Sequence, residues 1–178
     1  MGEVGLLEED DRVELIDGRI LRMAPIGSRH SAYVALLHRA FRPVEDRAIV
    51  RVQDPIVLDE ETEPQPDIAV VRFKPDLYAD AHPRPEDVLL LIEVSDTSLE
   101  MDREVKLPLY AASAIPEVWI VNLVEEIVEV YRDPSVFTDG TGRYRIRMDY
   151  PLDEPIRPSA FPELEVKVSL QPSQSSKS

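Results

Sequence analysis

Two carboxylates on predicted strands and a nearby lysine form a recognisable chemical set: Asp67, Glu93 and Lys106. Glu93 ends the apolar run 88–92 and is followed by Val94. A run of this kind is typical of a central strand buried on both faces, where an unpaired charge is costly, so Glu93 needs a partner. Asp67 opens a second apolar run, and Lys106 stands among residues with helical spacing.

Their chemistry depends on how the strands pair. If the strands that carry Asp67 and Glu93 are antiparallel, the start of one lies beside the end of the other, which brings the carboxylates together. Close carboxylates favour a hard divalent ion such as Mg²⁺, which binds one or two carboxylates plus waters and can activate a water and neutralise a phosphoryl oxygen. Lys106 could reach the same end of the sheet and orient the attacking water or stabilise the transition-state phosphate.

The elements around these residues are predicted from local signals. Asp17-Gly18 between 12–16 and 19–23 is a two-residue hairpin signal, and the apolar spacing in 28–42 predicts a helix. A second helix should start in the capping residues 95–98 and run to about Ala112, with a kink or a late start at Pro108. The predicted strands are 49–53 with a continuation at 56–58, a strand from about 67, 88–94, 117–121, 127–131, 143–148 and 164–168.

Length and composition indicate one domain, residues 1–170, with a disordered Ser/Gln/Pro-rich tail at 171–178. There is no cysteine, residues 1–10 lack the features of a signal peptide, and no apolar run approaches the ~18 residues of a membrane span. We therefore expect a soluble, cytoplasmic protein without membrane contact.

The charge opposes one class of partner. A net charge of −15 repels phosphate backbones at long range and is the strongest argument against nucleic-acid binding. Arginines and histidines nevertheless gather between residues 19 and 51, which leaves a local basic face open.

Over about residues 10–123 the chain resembles the PD-(D/E)XK nuclease superfamily, and within it the broad bacterial family of restriction-endonuclease-like proteins long described as a domain of unknown function. The resemblance rests on 14–18, Pro66-Asp67, 91–94, Lys106, Tyr110 and 116–121. It implies an α/β fold of the restriction-endonuclease type, a central mixed β-sheet flanked by helices, to which this chain adds an N-terminal β-hairpin and extra C-terminal strands. It also implies an endonuclease that hydrolyses DNA phosphodiester bonds with Mg²⁺, or Mn²⁺ in its place.

By this resemblance Asp67 and Glu93 hold the metal, with the Val94 carbonyl as a further ligand. The superfamily places its lysine two residues after the glutamate, where this chain has Ser95, so Lys106 is inferred to have taken over that role. The superfamily often has an acid on its first helix, and 28–42 contains none.

Two further residues are therefore candidates for the catalytic set. Glu14 on the preceding hairpin is a candidate substitute for the missing acid, and Gln53, beside Asp67, could also face the site.

Each residue alone has a simpler interpretation. Asp67 can be a turn carboxylate, Glu93 an ion-pair partner and Lys106 a solvated helix residue. His30 is interpreted as a packing or capping residue at the helix start rather than as a base, and Tyr110 as a core residue. Two other functions stay open: a non-catalytic binding or assembly module that kept the fold, and a hydrolase of small phosphoesters.

A homodimer is predicted from the charge and the expected activity. Two copies about a two-fold axis would gather the few arginines and supply one site for each strand of a duplex. The strands predicted at 143–148 and 164–168 are candidates for covering an edge or pairing with a second chain.

Overall fold

Residues 11–171 are described by a computed structural model, and they form a mixed α/β domain. The eight strands are β1 (Val13–Ile16), β2 (Arg19–Arg22), β3 (Ala48–Val52), β4 (Ile68–Arg72), β5 (Val88–Ser95), β6 (Glu117–Asn122), β7 (Ile127–Val136) and β8 (Gly142–Pro151). Strands β3 to β8 form a six-stranded sheet in chain order, in which only β5 and β6 are parallel. The predicted fold class is confirmed.

The helices are α1 (Ser28–Ala40), α2 (Leu99–Met101) and α3 (Leu107–Ala112), with a π-helical turn at Asp102–Lys106 between α2 and α3. Short 3₁₀ turns occupy Arg42–Val44 and Pro85–Asp87. Pro108 has no N–H to bond to a carbonyl one turn earlier, which accounts for an irregular helix here. The predicted irregularity is present, but it is a widened turn before the proline.

The N-terminal hairpin is confirmed and forms its own two-stranded sheet. Asp17 and Gly18 both have positive φ, 48° and 72°, as a two-residue turn of this type requires. The hairpin docks on a neighbouring loop, where Gly18 N–H donates to the Glu61 carbonyl at 2.8 Å and Glu63 N–H to the Leu15 carbonyl at 2.7 Å. Its position beside the sheet is therefore fixed by backbone hydrogen bonds.

Helices cover both faces of the sheet. Leu90 and Ile92 of β5 pack into the core that α1 closes, with Trp119, while Leu91 packs into the opposite core with Tyr110 of α3. Burial on both faces is why 88–92 reads as continuously apolar.

Two predicted strands are wrong. Residues 164–168 make only a single bridge, Ile156 with Val166, although Val166 and Val168 are fully buried on the α1 side of the sheet. The continuation at 56–58 forms no ladder: Ile56 N–H bonds to the Pro64 carbonyl and Val57 N–H to the Pro83 carbonyl. In both places apolar residues are buried by loop packing rather than by strand pairing.

Some predictions concern other parts of the chain. Those on residues 1–10 and on the tail beyond Gln171 lie outside the described residues. Within 11–171, no helix combines the length and apolar character needed to cross a bilayer.

Candidate active site

The two predicted carboxylates lie together at one end of the sheet. Strands β4 and β5 are antiparallel, with Ile68 opposite Ile92, and one residue further in the same register Asp67 stands opposite Glu93. Opposite residues of an antiparallel pair project to the same face. Both carboxylates are buried, with 7% and 3% of the residue exposed. The strand pairing assumed from the sequence is thus the one that forms.

Asp67 is held by three hydrogen bonds. Oδ2 accepts from the Val94 N–H at 2.8 Å and from His30 Nε2 at 3.1 Å, and Oδ1 accepts from Gln53 Nε2 at 3.2 Å. Burial raises the pKa of Asp67, but the hydrogen bonds from His30, Val94 and Gln53 outweigh it and leave the pKa below its usual value. Asp67 is therefore anionic at neutral pH.

Gln53 and His30 reach Asp67 from different elements. Gln53 follows β3 with a φ of 54°, a left-handed conformation uncommon outside glycine. His30 lies in the first turn of α1, and its hydrogen bond to Asp67 raises the pKa of the imidazole despite burial. The interpretation of His30 as a helix-start packing residue missed this contact, because no local sequence signal relates residues 37 positions apart.

Glu93 receives its hydrogen bonds on one oxygen. Oε1 accepts from the Tyr110 hydroxyl at 2.6 Å and from Lys106 Nζ at 3.2 Å, whereas no described residue hydrogen-bonds to Oε2. Burial raises the pKa of Glu93 well above its usual value, and the nearby carboxylates add to this, against the opposing effect of Lys106. Tyr110, read as core, is buried but also donates to the site.

Lys106 is a buried cation, with 4% of the residue exposed. Its Nζ lies 2.7 Å from Glu14 Oε1, 3.2 Å from Glu93 Oε1 and 3.9 Å from Asp102 Oδ1. Burial lowers the pKa of Lys106, but these carboxylates raise it above its ordinary value, so the ammonium persists. The interpretation as a solvated helix residue is wrong, and the lysine does reach the carboxylates, as expected.

Glu14 and Asp102 complete the shell around this ammonium. Glu14 Oε1 also accepts from the Gln65 N–H at 2.8 Å, which ties β1 to the loop before β4. Asp102 accepts from Ser95 Oγ at 2.6 Å and Ser98 Oγ at 2.7 Å. Ser95, which stands two residues after Glu93, thus holds an acid. Asp102 was not predicted, although its spacing of four from Lys106 on a helix was a usable signal.

These residues line a cleft of about 410 Å³ between the hairpin, the start of α1 and the segment after β5. Its charged lining comprises the acids Glu14, Asp67, Glu93, Asp96 and Asp102, and the bases Arg12, Arg22, His30 and Lys106. Carboxylates outnumber permanent cations, so the lining is short of positive charge.

A divalent ion would supply the missing charge. Among residues 11–171, no three His, Asp or Glu side chains are grouped as a complete metal site. Mg²⁺, however, needs only one or two carboxylates plus waters. Glu93 Oε2 accepts no hydrogen bond from the part of the chain that the structure describes, and Asp67 is an oriented anion, so the donor set fits a hard cation.

The fold and the site define a restriction-endonuclease-like α/β protein. The sequence matches the Uma2 family, described as "Putative restriction endonuclease", over residues 3–170, and the chain belongs to that family. A solved structure of similar fold is described as "a putative nuclease belonging to DUF820" from Anabaena variabilis ATCC 29413, with 16% sequence identity, 92% of this chain and 90% of that chain covered, and a TM-score of 0.67. At this identity the likeness shows the fold. No match was found among curated proteins. Family membership supports a nuclease-type hydrolase in general terms.

Proposed function

We propose that the protein is a Mg²⁺-dependent endonuclease that hydrolyses DNA phosphodiester bonds. The observation that carries this proposal is the convergence of Asp67, Glu93 and Lys106 at the adjoining ends of β4 and β5, inside a cleft. These are three groups that metal-assisted phosphodiester hydrolysis uses: two carboxylates to hold a cation and an ammonium to act on water or phosphate.

The metal ligands in this proposal are Asp67, Glu93 through its Oε2, and the Val94 carbonyl. When bound, Mg²⁺, or Mn²⁺ in its place, lowers the pKa of a ligated water and neutralises charge on the phosphoryl oxygen. The backbone of Val94 also contacts Asp67 directly, because its N–H donates to Asp67 Oδ2 at 2.8 Å.

The remaining residues orient these groups. Gln53 and His30 hold Asp67 in one rotamer through bonds to its two oxygens. Glu14 holds the Lys106 ammonium 2.7 Å away and keeps it charged, so it can donate to the attacking water or to the phosphate. A group held in this way loses little freedom when the substrate binds.

A metal titration tests the assignment. Mg²⁺ or Mn²⁺ should raise the melting temperature of the parent, because binding to the native state alone stabilises it. Asp67→Asn and Glu93→Gln should each abolish the rise in melting temperature. Each should also abolish cleavage of a labelled DNA duplex. Glu60→Gln, which alters an exposed loop acid, is the matched control. Two site variants that respond to metal like the parent would show that the ligands are misassigned.

The cleft favours a second candidate, a hydrolase of small phosphoesters. A volume of about 410 Å³ is in the range of small-molecule sites, and the carboxylates lie buried within it. A chromogenic phosphodiester turned over with Mg²⁺, together with duplex DNA left intact, would favour this candidate. No metal-dependent rise and no hydrolysis of either substrate would favour the non-catalytic module.

A further inference from the structure

Arg12 is a cation of the cleft wall that has no acidic partner within residues 11–171. It immediately precedes β1 and lines the cleft. Within residues 11–171 it makes no ion pair, and its Nη2 atom is buried without a hydrogen bond. A buried donor left without a hydrogen bond destabilises the fold. In a chain with 35 acidic residues, five of them in this lining, such a cation lacks a structural explanation.

The other cations near the cleft are engaged. Lys106 is held by three carboxylates, Arg22 pairs with Asp11 at 2.8 Å, and Arg29 lies 3.6 Å from Glu126. Arg12 therefore differs from each of them.

The backbone fixes Arg12 at the base of the hairpin. Its carbonyl accepts from the Met23 N–H at 2.8 Å, which closes the open end of the β1–β2 ladder. The Arg12 guanidinium also lies close enough to His30 to lower the pKa of that imidazole, and His30 bonds to Asp67. The guanidinium thus lies on the hairpin wall, one side chain away from the proposed metal ligands.

We propose that Arg12 binds a substrate phosphate in this cleft. The proposal rests on the proposed function and names a further residue of the same site. A guanidinium can donate two parallel hydrogen bonds to two phosphate oxygens, which would satisfy the buried Nη2 donor and offset the negative lining. Asp67 and Glu93 would then hold the metal while Arg12 holds the phosphate in the same cleft.

Binding without turnover is the first test. The probes are inorganic phosphate, followed by calorimetry, and a fluorescent phosphorothioate-linked oligonucleotide that resists hydrolysis, both with Mg²⁺. Arg12→Met should weaken both by about tenfold or more, since hydrogen bonds to charged groups contribute about 1.5–3 kcal/mol. Arg12→Lys should bind both probes better than Arg12→Met but less well than the parent, because lysine keeps the positive charge but cannot donate two parallel hydrogen bonds. Arg29→Ala, at the nearby start of α1, should stay within about twofold of the parent.

Stability separates a binding role from a structural one. Because Nη2 is unsatisfied, Arg12→Met should melt at or above the temperature of the parent. Parent-like affinity for both probes in Arg12→Met, or a parent that binds neither probe, overturns the proposal. A lower melting temperature for Arg12→Met also overturns it if Arg12→Lys restores both the melting temperature and the affinity to the values of the parent, because Arg12 would then act through the fold.

The outcome does not depend on nuclease activity. If the parent binds phosphate, Arg12→Met does not, and no nucleic acid is cleaved, the Arg12 assignment stands and the endonuclease proposal fails. If the parent cleaves DNA and Arg12→Met binds and cleaves equally well, the endonuclease proposal stands and the Arg12 assignment fails. If the endonuclease proposal and the Arg12 assignment are both correct, Arg12→Met should raise KM by a larger factor than it lowers kcat.

Discussion

Lys106→Ala should strongly destabilise the fold. Among the described residues, Lys106 is the only cation that contacts Glu14, Glu93 and Asp102. The alanine variant leaves three buried carboxylates facing one another, with no charge between them. If Lys106 were a solvated residue on an exposed helix, the same substitution would have little effect on stability.

The magnitude follows from the burial of the cluster. Removing one partner of a buried ion pair costs about 3–5 kcal/mol, because the other charge stays uncompensated. For a chain of this size each kcal/mol shifts the melting temperature by about 2–4 °C, so a fall on the order of 10 °C is expected. Such a loss is a large share of the roughly 5–15 kcal/mol that stabilises a typical domain.

The loss should grow with pH. Burial and neighbouring carboxylates already raise the pKa of Glu93, and Lys106 is the group that lowers it. Without the lysine, the pKa of Glu93 in the folded state rises further above its value in the unfolded chain. Between these two pKa values the native state binds more protons than the unfolded chain does. The free energy of unfolding therefore falls as the pH rises through this range. The difference in stability between Lys106→Ala and the parent should be smaller at pH 5 than at pH 8.

Thermal melts of both proteins at pH 5 and pH 8 measure this. Lys106→Met retains more of the side-chain volume and should show the same pH trend, which separates charge from packing. Lys167→Ala, an exposed lysine, is the control and should melt with the parent. A Lys106→Ala protein that melts within a degree or two of the parent at pH 8 would refute the buried-cation reasoning.

Two further predictions concern packing and assembly. Gly142→Ala should destabilise by at least about 1–3 kcal/mol, because a Cβ there would lie 2.1 Å from the Ala112 nitrogen and 2.2 Å from the Pro108 carbonyl oxygen. Urea denaturation measures it, with Gly27→Ala, where a Cβ meets nothing within 4 Å, as the control; equal midpoints would contradict the close packing of β8 on α3. The homodimer remains a prediction: light scattering should give twice the 20.2 kDa of one chain, and a single-chain mass at micromolar concentration would refute it.

The sequence predicted those parts of the fold that local signals control. Asp17-Gly18 specified the hairpin turn, and the run 88–92 identified the strand buried on both faces. The antiparallel pairing of β4 with β5 followed as an assumption about neighbouring strands, and it alone brought Asp67 and Glu93 together.

Long-range contacts could not be predicted in the same way. Glu129 lies inside an apolar strand pattern, yet it is fully buried and bonded to Arg103, 26 residues earlier. Nothing near His30 in the sequence indicates Asp67 as its partner. Val166 and Val168 show that alternating apolar residues can be buried under a helix without joining a ladder. In each case tertiary packing decides what the local pattern leaves open.

The net charge of −15 includes buried acidic residues that lie outside the cleft. Within residues 11–171, seven acidic residues are buried: Glu14, Asp67, Asp87, Glu93, Asp102, Glu117 and Glu129. Two of them are neutralised locally by arginines, Glu129 by Arg103 and Glu117 by Arg132 at 2.9 Å. Asp87, Glu117 and Glu129 lie outside the cleft lining, whereas the other four buried acids line it. What a phosphate meets at the cleft is set by the local balance of five carboxylates against Arg12, Arg22, Lys106 and His30. A divalent metal ion bound at Asp67 and Glu93 would make the charge of the cleft lining more positive and so favour binding of an anion such as phosphate.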